Sequence, residues 1–313
     1  MRCSPLASPT ATRELLDEFG LTTKHRLGQH FLIDDHVVER IVRLAELDAN
    51  ARVVEVGPGI GTLTLALLPR VARVVAIEMD PALEPVLAMH VADHPDLSYI
   101  IGDALRVGFR AIAAEAGGAP TMLVANLPYN AAATIILDYL EHMDSLESAV
   151  VMVQKEVADR IAAQPGTKSY GAYTAKLRLI GELTDRFEVS RLSFMPPPRV
   201  ESSVVRIERA HRAGERLGPC LAGASAGTGA VAPAQVASVI DAAFAQRRKT
   251  IRNSMTARGF DREMLDEALG ASRIAPSIRA EALDTDDFIR LTCALAACGA
   301  AARMDAGAEA TER

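Results

Sequence analysis

Val53-Val54-Glu55-Val56-Gly57-Pro58-Gly59-Ile60-Gly61 is a short apolar run that ends in a turn of alternating glycines. Helical patterning resumes just beyond it. Without side chains the backbone of such a turn can approach a ligand closely, and the N–H groups of the turn and of a helix N-terminus face that ligand. The same alternation repeats outward from this stretch. Apolar runs at 53–56, 74–77, 99–101, 122–125 and 149–153 are each followed by a turn and usually by a helical pattern. Runs of this kind predict an α/β fold with a parallel sheet covered on both faces. Ligands in such folds sit at the carboxyl ends of the strands. Upstream, Val37, Ile41, Leu44 and Leu47 recur at helical spacing. Downstream, 174–180 and 203–207 read as two further β-like stretches, a closing hairpin around a proline-rich loop.

The chain has 313 residues, which at roughly 150 per domain suggests two domains. Segment 1–23 reads as a loosely attached N-terminal arm with a short helical pattern at 13–19. The first domain is expected over 24–210 and a flexible Gly/Ala/Ser-rich linker or insertion over 211–233. A small all-helical domain is expected over 234–299, with breaks at Gly259, Gly270 and Pro276, and a disordered tail over 300–313. No apolar run reaches the roughly 18–20 residues of a membrane span, and the N-terminus lacks the apolar core of a secretory signal. Cys3, Cys220, Cys293 and Cys298 form no C-x-x-C pair. That fits a reducing cytoplasm and argues against a disulfide scaffold or a zinc site. The net charge of −6 argues against wholesale coating of nucleic acid. Aromatic residues are only 4% with no Trp, so each Phe or Tyr in a polar loop needs a reason.

The glycine spacing is informative. A dinucleotide fingerprint wants a glycine where Thr62 stands. G-x-G-x-G preceded by an acid, here Glu55 before Gly57, Gly59 and Gly61, is the S-adenosylmethionine turn. Glu78 closes the second strand, where a carboxylate can accept both hydroxyls of a ribose. Asp103, in Gly102-Asp103-Ala104 at the end of the third, can accept the amino hydrogens of an adenine. Acids are also favoured as helix caps, so either residue alone has a purely structural explanation. Both behind a glycine turn make a nucleoside-cofactor pocket.

Asn126-Leu127-Pro128-Tyr129-Asn130 closes the fourth strand. An exocyclic amino group on a nucleobase is a poor nucleophile, because its lone pair is delocalised into the ring. Acceptors aimed at its two hydrogens favour the pyramidal nitrogen that forms as a methyl group arrives. The Asn126 side chain and a backbone carbonyl at Leu127 or Pro128 can supply them. Tyr129 offers a face on which a base can stack. Phe194, in Phe194-Met195-Pro196-Pro197-Pro198, is placed to close the other face of a flipped base, or else anchors the proline turn from the core. A sulfonium carries an excellent leaving group, so no metal is expected.

These motifs, together with Leu27-Gly28-Gln29-His30-Phe31-Leu32, the continuation Arg199-Val200-Glu201-Ser202 and Arg247-Arg248-Lys249-Thr250, resemble the ribosomal RNA adenine dimethyltransferases from about Lys24 to Leu295. The similarity is strongest to the bacterial small-subunit (kasugamycin-sensitivity) branch. It implies a Rossmann-like S-adenosylmethionine-dependent methyltransferase with a small all-helical C-terminal domain. It further implies N6,N6-dimethylation of two adjacent adenosines near the 3′ end of 16S ribosomal RNA, on an assembling small ribosomal subunit. The implied enzyme is a cytoplasmic monomer without membrane attachment. The resemblance carries the cofactor site onto His30, Leu32, Gly57, Glu78, Asp103 and Asn126, with Gly59, Gly61 and Ala104 beside them. At His30 the common pattern has asparagine, and a histidine can still hydrogen-bond the methionine end of the cofactor. Gly166-Thr167-Lys168-Ser169-Tyr170-Gly171 is similar to the family's substrate-side loop. Large-subunit antibiotic-resistance enzymes typically have Ile in place of Leu127 and lack the Arg-Arg-Lys-Thr motif, which ranks them second. A non-catalytic assembly or transcription factor on the same fold is the other alternative.

Between Ala243 and Arg262, six basic residues stand against the single acid Asp261. Arg248 and Arg252, four apart, are expected on one helix face, and with Arg247 and Lys249 form a candidate phosphate-binding stripe.

Overall fold

Each of the five apolar runs becomes a strand in the computed structural model, which describes residues 2–24, 29–210 and 231–299. The strands are β2 (Arg52–Val56), β3 (Arg73–Glu78), β4 (Leu97–Ile101), β5 (Met122–Asn126) and β6 (Ser148–Gln154). Valine and isoleucine dominate them, and these β-branched side chains pack well on a pleated surface buried on both faces. β2 pairs in parallel with β3 and with β5, β3 with β4, and β5 with β6. β9 (Ser202–Arg209) then pairs antiparallel with β6. With β7 (Gly181–Val189) at the edge, the sheet order is β4-β3-β2-β5-β6-β9-β7. From β2 the chain builds outward to β3 and β4, then returns to place β5 on the opposite side of β2. That reversal opens a crevice at the carboxyl ends of β2 and β5, where open α/β sheets hold their ligands.

The chain divides into two compact units: Met1–Ala158 with Leu183–Arg209, and Asp159–Glu182 with the described residues from Ala210 onward. Asp159–Glu182, expected in the first domain, therefore clusters with the C-terminal helices. Within it, Ala172–Ile180 forms helix α8, not the expected strand at 174–180. Leu177 and Leu179 alternate like strand residues. Thr174 and Ala175 are buried with them, and Ala175 and Leu179, four apart on one helix face, join a helical core. That core also holds Val236, Ile240, Ile251, Leu265, Phe288 and Leu291. They come from α9 (Pro233–Phe244), α10 (Ile251–Ala257), α11 (Arg262–Ala271) and α12 (Thr285–Ala297), with Gly259 in the turn after α10 and Gly270 inside the end of α11.

The N-terminal segment is not a loose arm. Helix α1 (Pro9–Glu18) starts at the Ser8 cap and buries Leu15 and Leu16 against Phe31, Ile60, Leu83 and Val86. The Cys3 and Ser4 N–H groups donate to the Asp35 carboxylate at 2.9 and 2.8 Å. Asp35 opens α2 (Asp35–Ala45), whose buried face of Val37, Val38, Ile41 and Ala45 bears out the helical spacing. Cys3 and Cys298 are free thiols, whereas Cys293 is disulfide-bonded, which departs from the reducing setting read from the scattered cysteines. Of the expected linker at 211–233, residues 211–230 lie outside the described residues, as do the tail at 300–313 and motif residues Leu27 and Gly28, and Pro233 already opens α9.

Candidate functional site

At the carboxyl end of β2, Gly57, Gly59 and Gly61 adopt φ of +73°, +60° and +89°. L side chains are strained in that region. The turn is also crowded. A Cβ on Gly59 would lie 3.2 Å from the Phe31 ring, and one on Gly61 would lie 2.9 Å from the His90 ring. His90 is buried, and its Nε2 lies 2.9 Å from the Ile60 carbonyl oxygen, so it supports the turn from beneath. The Gly57 N–H donates to the Ile77 carbonyl at 2.9 Å, fastening the turn to β3.

Glu78, the last residue of β3, is buried. Its carboxylate accepts the N–H groups of Gly59 at 3.1 Å and Asp80 at 2.8 Å. Burial raises its pKa, and the backbone N–H bonds oppose the rise. Asp80 extends the network by accepting from Lys24 Nζ at 2.7 Å and from Gln29 Nε2 at 2.8 Å. Burial pushes the Asp80 pKa upward, but the bonds from Lys24, Ala82 and Gln29 outweigh it and the net shift is down. Glu55 is fully buried, accepts the Thr64 hydroxyl at 2.6 Å, and is pushed up to about 8 by burial. Asp103 lies just beyond β4 and accepts the Leu105 N–H at 2.9 Å, so it does serve as a local cap while also facing the cavity.

A cavity of about 480 Å³ joins these groups. It is lined by His30 and Leu32, the turn residues Gly57 and Gly59, Glu78, Asp103 and Ala104, and Asn126 to Tyr129. Gly61 is not on its wall and acts through the turn's shape. The size suits a small-molecule cofactor. The cradle that a Cβ would fill, the buried carboxylate at Glu78 and the polar group at Asp103 fit a nucleoside. Met79, 60% exposed and lining the cavity beside Glu78, adds an apolar surface for a planar ring. Sequence reading passed over it, although a bulky apolar residue just past a strand-ending acid was the available signal.

On the opposite wall, Gly57 packs under the acceptor loop, its Cβ position 3.6 Å from the Asn126 carbonyl oxygen and 3.7 Å from Pro128 Cδ. Leu127 is buried, and its N–H donates to the Met152 carbonyl at 3.1 Å. The Pro128 carbonyl accepts the Ala131 N–H at 3.0 Å. The Tyr129 hydroxyl lies 2.6 Å from Ser202 Oγ. Burial raises the Tyr129 pKa, which keeps the phenol neutral. Phe194 does not join this group. It is 2% exposed, packs in the main core, and pairs with Leu32 between β1 (Phe31–Leu32) and β8 (Phe194–Met195). It is the anchor of the proline turn, because a large apolar ring gains more from full burial than from a cavity edge.

The basic segment also differs from its expected form. Arg247, Arg248 and Lys249 lie in the turn between α9 and α10, and the helix begins only after the Thr250 cap. Arg248 and Arg252 therefore do not share a helix face. Arg247 bonds Glu281 at 3.4 Å and the Lys168 carbonyl, and Arg252 pairs with Asp266 at 3.4 Å. Arg248 and Lys249 are exposed.

Residues 20–216 match the family model described as ribosomal RNA adenine dimethylase. The ribosomal RNA small subunit methyltransferase A of Rhodococcus opacus (strain B4) is 43% identical over 291 residues, covering 91% of this chain and 93% of the relative. The protein of the same name from Thermobifida fusca (strain YX) is 40% identical over 291 residues, covering 91% and 95%. Among solved structures, a dimethyladenosine transferase from Plasmodium falciparum superposes with a TM-score of 0.67 at 22% identity, covering 84% of this chain and 96% of that one, a likeness of fold. The 23S rRNA methyltransferase ErmE superposes with a TM-score of 0.58 at 25% identity, covering 85% and 99%. The family match spans more than half of the chain and the relatives nearly all of it, so the chain belongs to the ribosomal RNA adenine dimethylase family.

Proposed function

We propose that this chain is an S-adenosylmethionine-dependent methyltransferase that dimethylates N6 of two adjacent adenosines near the 3′ end of small-subunit (16S) ribosomal RNA during subunit biogenesis. The observation that carries this reading is the meeting of Asn126-Leu127-Pro128-Tyr129 with the glycine turn and Glu78 on one cavity at the switch point of the sheet. Residues His30, Leu32, Gly57, Gly59, Glu78, Asp103 and Ala104 would hold the cofactor there, with Gly61 shaping the turn. When bound, the cofactor supplies an electrophilic methyl group with a neutral thioether as leaving group.

The chain's own work is to make an amino group nucleophilic. The Asn126 side-chain oxygen and the Leu127 carbonyl accept its two hydrogens, favouring the pyramidal nitrogen. Engagement of the Pro128 carbonyl by Ala131 favours Leu127 for this task. Tyr129 presents its ring to the base and is held by Ser202. Among the basic residues, exposed Arg248 and Lys249 are the stronger candidates for RNA phosphates, with Arg247 and Arg252 contributing beside their acidic partners. In the division of labour that follows, the first unit performs the chemistry and the helical unit docks RNA. A cytoplasmic monomer without membrane attachment belongs to the same reading. No helix among the described residues is long and apolar enough to cross a membrane.

A large-subunit substrate is the second reading, suggested by the likeness to ErmE. The relatives at 43% and 40% identity, whose names specify the small subunit, favour the first. The deciding experiment supplies labelled S-adenosylmethionine with undermethylated small subunits, and with large subunits as the control. Label is expected in two adjacent adenosines of the small subunit only. Well-folded protein that transfers none would overturn the reading. Asn126→Ala is expected to lower transfer roughly 10²–10³-fold while cofactor binding persists. Subunit accumulation in cells carrying only that variant would separate catalysis from an assembly role.

A further inference from the structure

The two ends of the cofactor cavity are carried by separate elements. Glu78, assigned to the ribose, closes β3, whereas His30, assigned to the methionine end, stands just ahead of β1. Asp80 joins them. It is 3% exposed and lies off the wall of that cavity, facing a separate hollow of about 110 Å³ that Lys24 and Gln29 also line. Its N–H donates to one oxygen of Glu78 at 2.8 Å. One of its carboxylate oxygens accepts Lys24 Nζ at 2.7 Å and the Ala82 N–H at 3.1 Å. The other accepts Gln29 Nε2 at 2.8 Å, and Gln29 Oε1 in turn accepts the Lys24 N–H at 2.8 Å. Both ends of the Gln29 amide are therefore engaged, and in one orientation only. A flipped amide would set its NH2 group against the Lys24 N–H and its oxygen against a carboxylate.

A buried carboxylate is costly to place unless it is paired and hydrogen-bonded. Asp80 meets that condition by holding Gln29, the chain neighbour of His30, at a fixed place relative to Glu78. We propose that Asp80 is a positioning residue for cofactor binding: through Gln29 and Lys24 it holds His30 at the methionine end in register with Glu78 at the ribose end. This deepens the reading of the cavity as an S-adenosylmethionine site and rests on it. A ligand held at both ends binds best when the two contacts are already in place, because ordering them on binding costs conformational entropy. A ligand without the amino-acid end gains nothing from the His30 side and is indifferent to Asp80.

The test measures Kd by calorimetry for S-adenosylmethionine and for adenosine, on the full chain. Asp80→Asn keeps an oxygen for Lys24 and Ala82, and asparagine caps as well as aspartate does. Its amide nitrogen then meets Gln29 Nε2, donor against donor. The Kd for S-adenosylmethionine is expected to rise roughly tenfold, the worth of one hydrogen bond to a charged group, and that for adenosine to change by less than about twofold. Gln29→Glu alone sets two carboxylates together and is expected to weaken S-adenosylmethionine at least as much. Combined with Asp80→Asn it restores a donor–acceptor pair and the parent's net charge. The exchanged pair is expected to bind S-adenosylmethionine within about threefold of the parent. Equal weakening of both ligands by Asp80→Asn would make Asp80 a support of the fold alone and overturn the proposal. An unchanged Kd for S-adenosylmethionine, or no recovery in an exchanged pair that still binds adenosine, would overturn it too. Parent protein that binds neither ligand would sink the S-adenosylmethionine reading itself, a distinct outcome.

Discussion

The carboxylate of Glu78 accepts the backbone N–H of Gly59 at 3.1 Å, tying the end of β3 to the middle of the glycine turn on β2. The acid that sequence spacing assigns to a ribose is thereby also a support for the turn. Glu78→Gln keeps the shape but replaces a charged acceptor with a neutral amide. Charged hydrogen bonds contribute more than neutral ones, so the cofactor Kd is expected to rise roughly ten- to a hundredfold. Calorimetric titration checks this, and an unchanged Kd would remove Glu78 from the cofactor site.

Gly61→Ala tests the turn without touching the cavity wall. The substitution meets φ of +89° and a Cβ position 2.9 Å from the His90 ring. A loss of about 1–3 kcal/mol is expected from the backbone alone, with more if the buried histidine cannot retreat. Urea denaturation measures it. Pairing the substitution with His90→Ala would separate the steric part from the backbone part.

Glu55 should leave a mark on the pH dependence of stability. Burial, aided by the charge of Glu78 and opposed by the Thr64 hydroxyl, pushes it up to about 8. A carboxyl whose pKa is raised in the folded state holds its proton more tightly there than in the unfolded chain. Its contribution to stability is therefore full below the unfolded value, about pH 4.3, and is lost as pH rises through about 8. Glu55→Gln retains an acceptor for Thr64 and does not titrate. Its Tm relative to the parent is expected to climb between about pH 5 and pH 8 and then level off. Parallel Tm curves would clear Glu55 of this role.

Phe194→Ala separates a core residue from a substrate contact. Loss of a fully buried ring costs about 3–5 kcal/mol. The folding midpoint in urea should fall accordingly. The KM for the small subunit, measured at a temperature where the variant remains folded, should stay near the parent value. A large rise in KM with little loss of stability would return Phe194 to the base pocket.

The parallel strands and the glycine turn were legible in the sequence because their causes are local. Valine runs such as 53–56 and 74–77 suit a sheet buried on both faces, and Gly57, Gly59 and Gly61 mark backbone that other residues resist. The acids at the strand ends were legible for the same reason. The segment at 174–180 was not, since Leu177 and Leu179 alternate as strand residues do while the helical core of the second unit selects the other periodicity. Arg248 and Arg252 have helical spacing, but the Thr250 cap starts the helix between them.

Residue order alone specifies a parallel α/β sheet with a glycine turn, two acids and an amino-group loop at successive strand ends. It does so because strand periodicity, glycine conformation and residue chemistry are properties of neighbours in the chain. Long-range packing places Phe194 in the core, turns His30 toward Tyr129, and groups Asp159–Glu182 with the C-terminal helices. Those outcomes follow from which distant surfaces bury one another. Burial free energy depends on the area removed from water at the final contact, which no local pattern records.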